Sequence, residues 1–188
     1  QHLLRQLRPR RDQGRYRQRV LTGKRQRMDF QPPEFASVPY GTIAPAACAP
    51  RISDPHFSGV AIRMPDHISA SASEKIIVPI CGYYQLPTGP LVMGAEIHIH
   101  VRGVGAHPLP PISGKVVTDM GDNEPEVPDP MSRQPIDPNR FKGQVSESYF
   151  YFDAQRYLPH KLLPGTYEVC VSYGQTRSNV ARVTITRR

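Results

Sequence analysis

The sequence predicts an all-β protein, an antiparallel β-sandwich with an extended basic N-terminal arm, on the basis of three observations. First, the 188 residues include 21 prolines and 14 glycines, which argue against a helical bundle because proline ends helices and glycine weakens them. Second, short segments of alternating apolar and polar residues recur along the chain, as half-buried strands require. Third, no long amphipathic pattern separates these segments. The length is suited to one domain with an appendage.

The strand signals begin near residue 57. Phe57–Met64 is short and apolar-rich, and Glu74–Tyr84 is β-branched and predicted to be buried on both faces, with Pro79 at an edge or a bulge. The clearest alternation is Ala95–Arg102, which predicts a strand with one face in water. The remaining predicted strands are Ile112–Thr118, Gly143–Asp153, Thr166–Tyr173 and Val180–Thr186.

The last two strands resemble the end of an immunoglobulin-like or fibronectin type III-like β-sandwich. In LPGTYEVCVSYGQTRSNVARVTI (Leu163–Ile185), a Pro-Gly turn leads into a strand bearing Tyr167, which pairs with a closing strand. The resemblance implies that the Tyr167 hydroxyl bonds to nearby backbone, as in a tyrosine corner. The chain departs from antibody domains because it has no Trp. The resemblance implies a binding or structural role and transfers no catalytic residue.

The basic charge of the chain is concentrated in an arm, residues 1–27. The formal net charge is +8, from 24 Lys and Arg against 16 Asp and Glu. The arm has a net charge of +9 and the other residues together have −1, which excludes a uniformly basic protein. The candidate residues for binding a partner or a polyanion are the ten basic side chains of the arm: Arg5, Arg8, Arg10, Arg11, Arg15, Arg17, Arg19, Lys24, Arg25 and Arg27.

The arm has almost nothing apolar to bury, so we expect it to order only on a partner. Clustered arginines suit acidic surfaces of other protein subunits, nucleic-acid phosphates and anionic lipid headgroups. Tyr16 is the one aromatic among them, so base stacking would contribute little. A further interpretation is that the native chain starts at Met28, because the sequence begins with Gln.

Two proline-rich segments flank or interrupt the predicted domain, residues 57–188. Residues 28–56 contain six prolines and no strand or helix periodicity, which predicts an extended strap lying on a surface of this chain or of a neighbour. Residues 119–139 contain six acids, five prolines and one base and predict a long functional or mobile loop. For this acidic loop three interpretations stay open: a solvated loop, a calcium site, and a docking site for a basic partner such as the arm of another copy.

One strand face groups residues that bind metals in other proteins. Glu96, His98 and His100 alternate along Ala95–Arg102 and therefore share its wet face. Arg102 lies on the same face and would repel a cation, and His107 lies beyond a glycine-containing turn. Three interpretations stay open: a solvated or partner-facing polar face, a metal site formed by the Glu and the two His, and a proton-linked contact.

The three cysteines have no C-x-x-C spacing. Cys81 and Cys170 each lie in the middle of a predicted strand, with enough chain between them for a disulfide between two sheets. In a reducing compartment they would instead be small buried thiols. Cys48, in the strap, is expected to be unpaired.

The function classes follow from what the sequence contains. It has no G-x-S-x-G, H-E-x-x-H or P-loop motif, so an enzyme is the weaker hypothesis and no cofactor is expected. No apolar run approaches the roughly 18 residues of a membrane-spanning helix, no signal-peptide pattern is visible, and the compartment stays open.

We therefore expect a non-enzymatic structural or interaction subunit of a larger assembly, anchored to other protein subunits through the arm and strap. One alternative is a coat-type protein whose arm binds nucleic acid, which steep weakening with salt would reveal. The other is a metal-binding β protein that uses the H-x-H pair.

Overall fold

The structure is a computed structural model, and it describes residues 28–105, 110–117 and 137–188. The arm, His107 and residues 119–136 of the acidic loop lie outside these residues. The all-β prediction is confirmed, because strands dominate the described residues and form two sheets. In the same ranges, no helix combines the length and the apolar character needed to cross a membrane.

The strands are named in chain order. They are β1 (Asp29–Gln31), β2 (Gly59–Arg63), β3 (His67–Ala70), β4 (Pro79–Pro87), β5 (Ile97–Val104), β6 (Ile112–Val116), β7 (Val145–Asp153), β8 (Gly165–Tyr173), β9 (Thr176–Arg177) and β10 (Ala181–Arg187). A short helix, α1, spans Thr88–Val92. Single 3₁₀ turns span Pro33–Ser37, Pro138–Phe141 and Ala154–Arg156.

The large sheet has the order β1-β3-β10-β8-β5-β6, with β9 paired to β8, and the small sheet has the order β2-β4-β7. Neighbouring strands are antiparallel except β3 and β10, which are parallel. The short strands β1 and β3 were not predicted, because three or four residues are too few for a periodic pattern.

One hydrophobic core lies between the two sheets. Val169 and Val171 of β8 face Phe150 and Phe152 of β7 within it, and Ile99 of β5 is fully buried. Each such side chain stabilises the fold by about 1.5–3 kcal/mol relative to its exposed state. The period-two alternation of the strands thus decides which residues lie inside.

Pro79 begins the central strand of the small sheet. β4 lies between β2 and β7, but its pairing with β2 starts at Cys81, so Pro79 pairs only with Asp153 of β7 and is at a local edge, one of the two predicted settings, and not at a bulge. Proline is tolerated there because it occupies the first position of the strand, where the sheet hydrogen bonds begin.

The connection from β7 to β8 passes very close to the edge strand β6. Gly114 of β6 lies opposite the core residue Ile99, and a Cβ built on it would lie 1.9 Å from the carbonyl oxygen of Tyr157. The Tyr157 hydroxyl donates to the Val117 carbonyl at 3.0 Å, which fixes the connection at this point. Glycine is therefore required here by the close approach of two backbones.

The strap covers the outer face of the small sheet. Its residues Phe35, Cys48 and Ala49 are buried in a second apolar cluster against Cys81 and Tyr151 of the sheet. This cover explains why β4 is buried on both faces, with Cys81 fully inaccessible.

The interpretation of Cys81 and Cys170 as a disulfide pair is wrong, and so is the expectation that Cys48 is unpaired. Cys48 and Cys81 form the disulfide, with their Cα atoms 5.9 Å apart, and Cys170 is a free thiol. The reason is the direction of each side chain. Cys81 follows Ile80, which faces the core, so Cys81 faces the strap. Cys170 follows Val169, which also faces the core, so Cys170 lies on the outer face of the large sheet. The two cysteines point away from each other, on opposite sides of the molecule.

Polar bonds reinforce the strap. The Arg63 guanidinium of β2 donates to the carbonyl oxygens of residues 47–49 at 3.3–3.4 Å and forms an ion pair with Glu34. The Tyr151 hydroxyl of β7 donates to the carbonyl of Ala44 at 2.7 Å. Because both side chains project from the small sheet, the strap is attached along much of its length.

Asp153, at the end of β7, is a buried carboxylate. It accepts from the backbone N–H groups of Val78 at 2.9 Å and Gln155 at 3.1 Å. Burial raises the pKa of this carboxyl, while these hydrogen bonds and the charges of Lys75 and Arg156 act in the opposite direction.

Asp153→Asn should reduce the pH dependence of stability. A raised pKa means that the folded protein holds the proton more tightly than the unfolded chain. The protonated carboxyl therefore adds to the free energy of unfolding at low pH, and this addition is lost as the pH rises through the raised pKa. Asparagine keeps an acceptor oxygen and carries no charge, so this decline, which begins above the ordinary aspartate pKa of about 4, should disappear from urea unfolding curves recorded at increasing pH. Asp137→Asn makes the same change at an exposed 3₁₀ cap and is the control. A pH profile in Asp153→Asn that follows the wild type would contradict the prediction.

Candidate interaction face

The outer face of the β6-β5-β8-β10 part of the large sheet, together with β9, is called here the open face, and it carries polar and charged side chains that alternate with core residues. The side chains of Arg102, Arg182 and Lys115 are 65%, 62% and 55% exposed, in contrast to the covered outer face of the small sheet. The members are Glu96, His98, His100, Arg102, Ser113, Lys115, Glu168, Cys170, Ser172, Arg177 and Arg182.

His100 is held from both sides at the middle of the face. Its Nδ1 lies 3.0 Å from Ser113 Oγ of β6, and its Nε2 lies 2.9 Å from Ser172 Oγ of β8. Burial lowers the pKa of His100, and the electrostatic interactions with Arg177 and His98 lower it further. The imidazole is therefore neutral near pH 7, and its ring is fixed by hydroxyls that can donate or accept.

Glu96 is engaged by two neighbours. Its carboxylate accepts from the Lys115 ammonium of β6 and lies 3.1 Å from His98 Nε2. The hydrogen bond from Lys115, and then that from His98, hold the pKa of Glu96 below its ordinary value. The carboxylate is thus ionised and occupied at neutral pH.

A row of alternating charge crosses three strands. Glu168 of β8 lies directly between Arg102 of β5 and Arg182 of β10 in the strand register. It forms an ion pair with Arg102 and lies 3.8 Å from Arg182. The Arg102 hydrogen bond lowers the pKa of Glu168, and the same bond raises that of Arg102. The carboxylate side chain is 25% exposed, well below both arginines, so the guanidinium groups project above it.

The residues predicted as metal ligands share one face, as expected, but their contacts diverge. His98 bonds to Glu96, whereas His100 bonds to two serines. Across residues 28–105, 110–117 and 137–188, no three His, Cys, Asp or Glu side chains come together as a metal site.

Several members of the face were not singled out from the sequence. Lys115, Glu168, Ser172 and Arg177 come from strands that are distant along the chain, and only the strand register places them beside the two His. In the sequence, only the alternation within each strand could have shown to which side of the sheet these four side chains point. The ten basic residues of the arm lie outside the described residues.

Comparison of the chain with protein-family models, with curated proteins and with solved structures finds no match. The geometry of the described residues is therefore the basis for assigning a function.

Proposed function

We propose that this chain is a non-enzymatic structural and interaction subunit of a larger assembly, with an immunoglobulin-like β-sandwich as its body and the arm as its attachment. The strap, which was expected to share in the attachment, packs instead on this chain's own small sheet. The observation that carries the proposal is the contrast between the two outer faces. The strap and the Cys48–Cys81 disulfide seal the face of the small sheet. Within the described part of the chain, charged side chains of the open face are exposed, and they are held by bonds between strands.

The fixed side chains of the open face support recognition better than they support stability. Exposed ion pairs contribute about 0–1 kcal/mol each to folding, so the pairs made by Glu96 and Glu168 add little to the core. Side chains that are already ordered lose less conformational entropy when a partner binds. A flat and preorganised polar surface is therefore suited to a protein partner.

The strand order supports the immunoglobulin-like body. The order β10-β8-β5-β6 in the large sheet corresponds to strands G, F, C and C′ of a variable-type domain, and β2-β4-β7 corresponds to A, B and E. In addition, the Tyr167 hydroxyl donates to the Leu163 carbonyl at 2.8 Å, the backbone bond expected at a tyrosine corner.

Deletion of residues 1–27 tests the attachment. The truncated chain should remain folded, because the core and the strap contacts lie within residues 28–188, but it should elute alone, whereas the full chain co-elutes with protein subunits. Size-exclusion chromatography with light scattering measures the assembly, and circular dichroism checks the fold.

Nuclease treatment of the full-chain sample separates the two leading functions. A protein assembly should survive the nuclease, whereas dissociation by nuclease supports the coat-type alternative with the arm on nucleic acid.

An assembly of undiminished size after the deletion would contradict attachment through the arm.

A further inference from the structure

The open face carries more positive than negative charge. Its four permanent cations are Arg102, Lys115, Arg177 and Arg182, and its two acids are Glu96 and Glu168. Each acid is already shared between two basic neighbours. Within the described part of the chain, Arg177 has no ion-pair partner. The face therefore has cationic side chains that can pair with the carboxylates of another molecule.

In one row of the face the acid is less exposed than the bases, whereas Glu96, at 48%, is nearly as exposed as its partner Lys115, at 55%. Glu168 is 25% exposed, whereas its partners Arg102 and Arg182 are 65% and 62% exposed. A molecule approaching the face thus meets guanidinium groups before it meets this carboxylate. Guanidinium groups bind carboxylates through paired hydrogen bonds, and the hydroxyls of Ser113 and Ser172 lie between the cations.

We infer that the open face docks an acidic segment of a partner protein, an inference that rests on the proposed function and names its partner chemistry. The segment's carboxylates pair with Arg177 and Lys115 at one end of the face and with Arg102 and Arg182 at the other.

The size of the face selects a short segment. From β6 to β10 it spans three strand spacings, and from Glu96 to Arg102 it spans six residues, which together give dimensions of about 14 Å by 20 Å. An extended peptide of about six residues covers the longer dimension. The charged patch is therefore suited to a short peptide segment.

The interleaved acids favour a protein segment over nucleic acid. Glu96 and Glu168 lie between the cations and repel a backbone that carries a phosphate at every nucleotide. A peptide can place carboxylates opposite the arginines and uncharged residues opposite the two Glu, which is how charge patterns give specificity.

The open face contains a cysteine whose reactivity can report on binding. Cys170 lies directly opposite His100 in the strand register and is a free, half-buried thiol, whereas the other two cysteines of the chain are joined in the disulfide. Under non-reducing conditions, alkylation by N-ethylmaleimide therefore reports on the open face.

The experiment measures the rate of Cys170 alkylation in the full chain with increasing oligoglutamate peptide. The test variant is Arg102→Glu/Arg177→Glu. The matched control, Arg51→Glu/Arg140→Glu, makes the same change in charge at exposed positions in the strap and in the turn Pro138–Phe141. Arg177→Gln, which introduces no repulsion, provides a second test variant in case the double reversal does not fold.

The peptide should slow alkylation of the wild type and of the control. In the double reversal the affinity should fall about five- to tenfold or more, since two exposed carboxylate pairs are lost, and Arg177→Gln should show a smaller loss. The absence of protection, equal protection in wild type and double reversal, or stronger protection by an RNA oligonucleotide would each overturn the inference. None of these outcomes affects the deletion test of the arm. Docking at the open face can therefore be disproved without disproving attachment through the arm, and the reverse also holds.

Discussion

Gly114→Ala should lower the free energy of unfolding by about 3 kcal/mol or more, because the added methyl group has no space. Its Cβ would lie 1.9 Å from the carbonyl oxygen and 2.7 Å from the carbonyl carbon of Tyr157. These are backbone atoms, and the Tyr157 N–H is bonded to the carbonyl of Ala154 at 3.1 Å. Relief of the clash therefore requires either β6 to leave β5 or the β7–β8 connection to move.

Urea unfolding followed by tyrosine fluorescence measures this effect, since the chain has nine Tyr and no Trp. Gly89→Ala is the matched control, because a Cβ on Gly89 in α1 meets nothing within 4 Å. Alanine also favours a helix over glycine, so this control should be as stable as the wild type or slightly more stable. If both alanine variants unfold at the same urea concentration, the close approach at Gly114 does not exist.

Removal of the Cys48–Cys81 disulfide should lower the free energy of unfolding by about 3–4 kcal/mol, as the loop-closure entropy for its length predicts. The bond joins residues 33 apart in the sequence and encloses β2 and β3. Because side chains of both strands belong to the main core, global unfolding releases this loop from the core, and the intact disulfide restricts its conformations in the unfolded chain. The disulfide therefore stabilises the body as well as the strap.

The variant Cys48→Ala/Cys81→Ala makes this measurement without burying new polar groups. Cys170→Ala is its control, since it removes a thiol that is free and only half buried. Reduction of the wild type with a dithiol provides a second comparison that keeps both sulfur atoms in place. Equal losses of stability in the double variant and in Cys170→Ala would show that the disulfide makes no special contribution.

Much of the fold could be predicted from alternation within single strands. In β5, Ile97, Ile99 and Val101 were predicted to share one face, and all three are buried in the core. The hydroxyl of Tyr167 bonds to nearby backbone, as the resemblance to immunoglobulin-like domains implied. These features depend on side-chain direction and on residues close in sequence, so a short segment contains the information.

The candidate site could be predicted only in part. The two His and Glu96 were assigned to one face because they lie on one strand, but their partners Lys115, Ser113 and Ser172 come from β6 and β8. These contacts depend on which strands pair and in what register. A shift of one residue would turn every side chain of a strand to the opposite face.

The sequence by itself determined that this protein is all-β, that its positive charge is concentrated in residues 1–27, and which residues of the longer strands face inward. Only the tertiary structure decided that Cys81 bonds to Cys48 rather than to Cys170, and that the strap covers one sheet, whereas the described residues leave charged side chains exposed on the outer face of the other. The physical reason is that alternation gives a side chain's direction relative to its own strand. The group that it meets depends on long-range packing, and in this chain that packing placed Cys81 beneath the strap and Cys170 on the open face.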